Sequence, residues 1–140
     1  MSHVRFWGLR SLSFLIPLAF LTGCGDGQEG PEPVPVSGTV LYKGKPVESG
    51  SIQFVPGAGR AASGPIENGK FTLSTYGDGD GAIPGPHQVG VTSNKQGTKI
   101  KNGEPEIIFL VPEVYATAGT STITAVVPPE GKQDLEIKID

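Results

Sequence analysis

The chain is 140 residues long, and Gly (21) and Pro (13) together make up about a quarter of it. Breakers at that density exclude long helices, and the length allows one domain rather than two. A formal charge of −3 with only 11 basic residues is a poor match for nucleic acid or an anionic lipid surface.

Residues 1–23 read as a secretory signal. His3, Arg5 and Arg10 make a basic start, and the stretch from Leu12 to Leu21 is apolar. That stretch is shorter than the ~20 residues needed to cross ~30 Å of hydrocarbon, and Pro17 would kink it. Leu21-Thr22-Gly23-Cys24 then resembles the lipobox of bacterial lipoproteins. The resemblance implies cleavage between Gly23 and Cys24 and a diacylglyceryl group on the Cys24 sulfur. Small side chains before the cleavage point let extended backbone enter a peptidase cleft, and a thiolate is the nucleophile that accepts the lipid. Two or three acyl chains anchor firmly where one is marginal. The competing reading is an ordinary secreted protein with a stray thiol at Cys24, which has no second cysteine to pair with.

Cleavage would remove Arg5 and Arg10 but no acidic residue, so the mature charge moves two units further negative than −3. It would leave His87 and Arg60 as the sole histidine and arginine. The expected location is membrane-anchored by lipid and extracytoplasmic, facing the periplasm or on the outer membrane or cell surface. Inner versus outer membrane stays open, although Gly25 in place of Asp leans toward the outer.

Residues 24–35 are the lipidated Cys and a tether. Gly25 to Pro35 mixes Gly, Pro and acids with no apolar run, the composition of a semi-extended spacer. Residues 36–140 form the domain. From Val36 to Tyr42 the period is two, and Lys43-Gly44-Lys45-Pro46 is a turn. Ser51 to Val55 alternates and stops at Pro56, and a small-residue loop follows from Gly57 to Pro65. Ile66 to Leu73 is a hairpin centred on Asn68-Gly69. Thr75 to Pro86 is a loop, His87 to Ser93 a strand, and Asn94 to Glu106 a polar insertion. Ile107 to Val111 is a continuous apolar run of the kind buried on both faces. Thr120 to Val127 and Leu135 to Ile139 alternate again. Some seven short strands with regular turns read as an all-β, antiparallel sandwich.

Val36-x-Gly38-x-Val40, Gly44-x-Pro46-Val47 and Gly50-x-Ile52-x-Phe54-x-Pro56 resemble the opening of carboxypeptidase regulatory-like domains. The pattern continues through Gly69-x-Phe71-x-Leu73 and Gly85-x-His87-x-Val89-x-Val91. Similarity to that family implies a seven-stranded Greek-key sandwich of the transthyretin (prealbumin) type, and most closely a small bacterial lipoprotein with one such domain. Such a fold implies architecture more than function. The transthyretin-like enzymes that hydrolyse 5-hydroxyisourate use several His and Arg residues, which this chain lacks.

The remaining candidates are few. Asp78-Gly79-Asp80-Gly81 looks superficially like a calcium loop, but the twelfth position from Asp78 is Val89 where an EF-hand needs Glu. It reads as a turn, with weak cation binding by Asp78 and Asp80 left open. His87, in phase with Val89 and Val91, reads as a core-edge residue bonded locally. Tyr115 is expected to cover one end of the sandwich. Tyr76, Asp78, Asp80, His87 and Tyr115 are the candidates for facing a ligand. No nucleophile elbow, phosphate loop or zinc-helix motif occurs, so neither catalysis, metal nor cofactor is expected. The expected role is a lipid-anchored envelope module, monomeric, whose end loops meet a protein or glycan. A spacer without a specific ligand is the alternative.

Overall fold

The computed structural model describes residues 30–140; the signal segment, Gly23, Cys24 and the first part of the tether lie outside the described residues. Within them the chain is all-β: β1 (Val36–Tyr42), β2 (Lys45–Pro46), β3 (Ser49–Pro56), β4 (Ala62–Glu67), β5 (Lys70–Thr72), β6 (Gly85–Thr92), β7 (Asn94–Lys101), β8 (Glu104–Phe109), β9 (Thr124–Val127) and β10 (Lys132–Ile139). A single 3-10 turn, Glu113–Tyr115, interrupts them.

Hydrogen bonding runs in one path, β10-β1-β5-β4-β3-β6-β9, with β2 folded back on β1. This is one curled sheet rather than two separate layers. All its pairs are antiparallel except β1 with β10, which run parallel from Val36↔Lys132 to Tyr42↔Ile139. β7 and β8 pair only with each other, as a separate two-stranded ribbon.

Alternation decides which side chains line the concave face. Val36 and Val40 of β1, Ile52 and Phe54 of β3, Val89 and Val91 of β6, and Ile137 and Ile139 of β10 are all buried. They converge with Ile66, Phe71 and Leu73 into one core. Phe54 sits at its middle, 6.1 Å from the Phe71 ring and 5.6 Å from the His87 ring, both tilted. Gly38 is required by close approach. The main chain of Leu135 in β10 occupies the space a Cβ would need, beside the register shift between Val36 and Gly38.

Three strand pairs are joined by the same two-residue turn: Lys43-Gly44, Asn68-Gly69 and Asn102-Gly103. In each a non-glycine residue at φ 49–54° precedes a Gly at φ 76–86°. Positive φ at both positions is the primed turn that matches strand twist.

Several details differ from expectation, among them β2 at Lys45–Pro46 in place of a turn and β9 beginning at Thr124 rather than Thr120. The tether does not run to Pro35: Val34 and Ala82 exchange two backbone hydrogen bonds at 2.9 and 3.0 Å, and the Pro35 carbonyl accepts from Lys132 N–H at 2.9 Å. The Gly57–Pro65 loop ends early, because β4 begins at Ala62. Residues 94–106 are two paired strands joined at Asn102-Gly103 rather than loop. The run from Ile107 to Val111 is not a buried strand: Ile107 is 49% exposed and Phe109 42%, and only Val111 is buried. β7 is polar and covers neither face of β8, which leaves that apolar run in solvent.

Candidate functional site

Strand directions define two ends. β1 begins, β3 finishes and β6 begins at the end where residues 30–35 join the body, here the tether end. The opposite end carries Tyr42, the close of β6 and the departure of the β7–β8 ribbon, here the arm end. The expected ligand-facing residues divide between them. Tyr76, Asp78, Asp80 and His87 lie at or toward the tether end, and Tyr115 lies at the other.

The 74–81 loop is held by its own polar groups. The Asp80 carboxylate accepts backbone N–H from Thr75 at 2.7 Å, Gly77 at 2.9 Å and Tyr76 at 3.0 Å. Thr75 Oγ1 donates to the Gly81 carbonyl at 2.7 Å, and Gly79 N–H donates to Ser74 Oγ at 2.9 Å. Loss of hydration raises the Asp80 pKa, but the backbone donors Thr75, Gly77 and Tyr76 outweigh it and hold the carboxyl below its ordinary value. Three of the carboxylate's acceptor sites are thereby engaged in stabilising the turn. Asp78 is exposed. Among the described residues, no three His, Cys, Asp or Glu side chains come together as a metal site.

Tyr76 is half-buried, with the Arg60 guanidinium 5.8 Å from its ring centre and its hydroxyl against Gly30. It helps seat the incoming chain. His87 lies in the core beside Phe54. It is 3% exposed, and its Nε2 lies 2.7 Å from the Ile83 carbonyl oxygen. A carbonyl can only accept, so Nε2 donates in this contact. Nδ1 is buried without a partner. A general base needs access to substrate, and this imidazole has none. Tyr115 is half-buried against the core, its hydroxyl donating to the Asp140 main-chain oxygen at 3.5 Å.

The arm end carries a feature the expected set omitted. β7 and β8 leave the body together as a hairpin turned by Asn102-Gly103. Its base is pinned. Ser93, 1% exposed, donates from Oγ to the Ser49 carbonyl at 2.6 Å, and its own carbonyl accepts from Leu110 N–H at 2.8 Å. Beyond the base, none of the described residues covers it. Ile100 is 66% exposed, and Ile107, Ile108, Phe109 and Leu110 are also exposed. Where the arm meets the body, Tyr42, Val47, Ser93, Leu110 and Val111 line an open cleft of about 360 Å³.

The pairing register sorts the arm's side chains. Ile100 opposes Pro105, Gln96 opposes Ile107 and Asn94 opposes Phe109. Cross-strand partners share a face, so Ile100, Pro105, Ile107 and Phe109 share with Asn94 and Gln96 a face without charge. Lys95 with Ile108 and Lys101 with Glu104 lie on the other, which Glu106 joins by alternation along β8. Sequence reasoning could have found this, because Asn102-Gly103 is a hairpin signal as strong as Asn68-Gly69. A contiguous exposed apolar patch on an otherwise polar body is the surface feature that most often marks an interaction site.

No family model matches this chain, and no curated protein or solved structure is similar to it.

Proposed function

We propose that this protein is a lipid-anchored module of the bacterial cell envelope that binds a protein partner through its β7–β8 arm. The single observation that supports this is the arm itself, a pinned hairpin with an uncovered apolar face. The arm leaves the end of the domain opposite the incoming chain. In this reading the sheet is of the transthyretin-like, carboxypeptidase regulatory-like type, with the parallel β1–β10 edge as its departure from a purely antiparallel sandwich. Cys24 carries the acyl chains. Ten residues from Cys24 to Val34, at ~3.3 Å each, let the body stand up to about 33 Å from the bilayer. The arm then points away from its own membrane. Binding rather than catalysis is the role, because the one imidazole of the described residues is buried and the loop carboxylate is engaged by backbone N–H groups.

Two measurements test it. Cys24→Ser should move the protein from the detergent phase to the aqueous phase on partitioning; unchanged partitioning rejects the anchor. A photo-reactive benzoylphenylalanine in place of Ile107 should give a protein adduct in intact envelopes. Absence of any adduct would favour the spacer reading.

A further inference from the structure

We infer that Asn102, at the turn of the β7–β8 arm, is a site of spontaneous covalent modification, its amide closing onto Gly103 and hydrolysing to aspartate and isoaspartate. The reaction needs no enzyme. The backbone nitrogen of the following residue gives its proton to solvent and attacks the asparagine Cγ. A new N–Cγ bond forms, the Cγ–Nδ2 bond breaks, and the side-chain nitrogen leaves as ammonia. Water then opens the five-membered imide at either carbonyl, which yields an ordinary or a β-linked aspartyl bond and a new carboxylate. Aspartate closes in the same way with loss of water in place of ammonia. A following glycine favours the attack, because no side chain shields its nitrogen.

Asparagine stands at positions 68, 94 and 102, and Asn94 precedes Lys95, whose side chain crowds the attack. Four pairs of Asn or Asp with a following Gly fall among the described residues: Asn68-Gly69, Asp78-Gly79, Asp80-Gly81 and Asn102-Gly103. A nitrogen whose N–H is held in a hydrogen bond keeps its proton and points at its acceptor. Gly69 N–H donates to the Val47 carbonyl at 2.8 Å and Gly81 N–H to the Leu73 carbonyl at 2.9 Å. Gly79 N–H donates to Ser74 Oγ at 2.9 Å. Of the four, Gly103 alone finds no acceptor for its N–H among the described residues.

The two asparagine turns have nearly the same conformation, with φ 51° at Asn68 and 54° at Asn102. Their surroundings separate them. Asn68 N–H donates to the Glu48 carbonyl at 2.7 Å, and the Gly69 carbonyl accepts from Val40 N–H at 2.8 Å. A Cβ on buried Gly69 would meet Pro46 at 2.7 Å, so that turn is wedged against the sheet. Asn102 and Gly103 are exposed, and nothing lies within 4 Å of where a Gly103 Cβ would stand. Two strands alone are marginal in water, and such tips open at little cost. The β-linked product adds an atom to the main chain, which a two-residue turn between Lys101 and Glu104 does not accommodate. The arm therefore exists in two covalent forms, and its tip is where the folded molecule ages.

The test incubates the purified full chain in warm, mildly alkaline buffer, either folded or in concentrated urea. Peptides are then mapped by mass spectrometry after isoaspartyl methyltransferase labelling. In the folded chain, isoaspartate at position 102 should exceed that at position 68 at least about tenfold, and in urea the two should agree within about twofold. Isoelectric focusing of the folded chain should show an acidic species accumulate, and Asn102→Gln should remove it with melting unchanged. Equal yields at the two positions in the folded chain, or none at position 102, would overturn the inference. So would an acidic species that persists in Asn102→Gln. A tenfold preference retained in urea would assign the selectivity to neighbouring residues and reject the role given to the fold.

Discussion

The curled sheet and the β7–β8 arm use the same strands and the same two-residue turn, yet they treat apolar side chains in opposite ways. In the sheet, alternation sends Ile52, Phe54, Val89 and Val91 into one shared core. In the arm, the same alternation gathers Ile100, Ile107 and Phe109 on one side, where none of the described residues covers them. Sheet edges show a second contrast. β10, an outer strand, carries Lys132, Asp134, Glu136 and Lys138, with Lys132–Asp134 at 3.2 Å and Lys138–Glu136 at 2.9 Å in solvent. Charge along an edge strand discourages further pairing. The arm places its charges on one face and leaves the other bare. A strand's period therefore specifies which side chains stand together, and only the neighbouring layer decides whether they are inside.

If the two regions are energetically separate, substitutions should divide cleanly between them. Phe54→Ala removes the ring at the centre of the core and should cost about 3–5 kcal/mol in denaturant unfolding. A loss below about 1 kcal/mol would mean the sheet does not depend on that core. Gly38→Ala puts a methyl group where the Leu135 main chain lies, and should cost about 1–3 kcal/mol. Amides of β10 should then exchange faster while those of β6 keep their protection.

Asp80→Ala should cost about 1 kcal/mol, a figure reduced because the carboxylate is partly exposed. Its pH dependence has a definite sign. A carboxyl held below its ordinary value of 3.8 stabilises fully above that pH, and the contribution is lost as pH falls through the lower folded value. Asp80→Ala should therefore flatten the acid limb of the stability profile, and an unchanged limb would reject the role assigned to the carboxylate. Phe109→Ala, in the arm, should change global stability by less than about 0.5 kcal/mol. A loss as large as that at Phe54 would show the arm to be part of the core. Hydrogen exchange gives the smallest and most local signal. Arm amides beyond Ser93 should exchange well before those of β3 and β6.

Much of the sheet could be read without coordinates. The alternation of residues 36–42, 51–55, 87–93 and 135–139 marks strands because a half-buried strand must present every second side chain inward. Asn68-Gly69 marks its turn because both residues accept positive φ. Asn102-Gly103 carried the same signal but stood among lysines and glutamates, so polarity masked it. The run at residues 107–111 was misplaced for a related reason. Apolar content reports what prefers burial, and it is silent on whether a covering layer exists. Of the candidate residues, the burial of His87 could be read from its phase with Val89 and Val91. The engagement of the Asp80 carboxylate by three backbone donors could not, because it depends on how the 74–81 loop closes.

Local pattern alone therefore established an all-β chain and most of its turns. Such features depend on neighbours within a few residues. Tertiary structure alone decided the parallel union of β1 with β10, the close approach at Gly38, the opposition of tether and arm, and the exposure of Ile100, Ile107 and Phe109. Each depends on which distant backbone comes alongside, and side-chain preference at a single position carries no record of that.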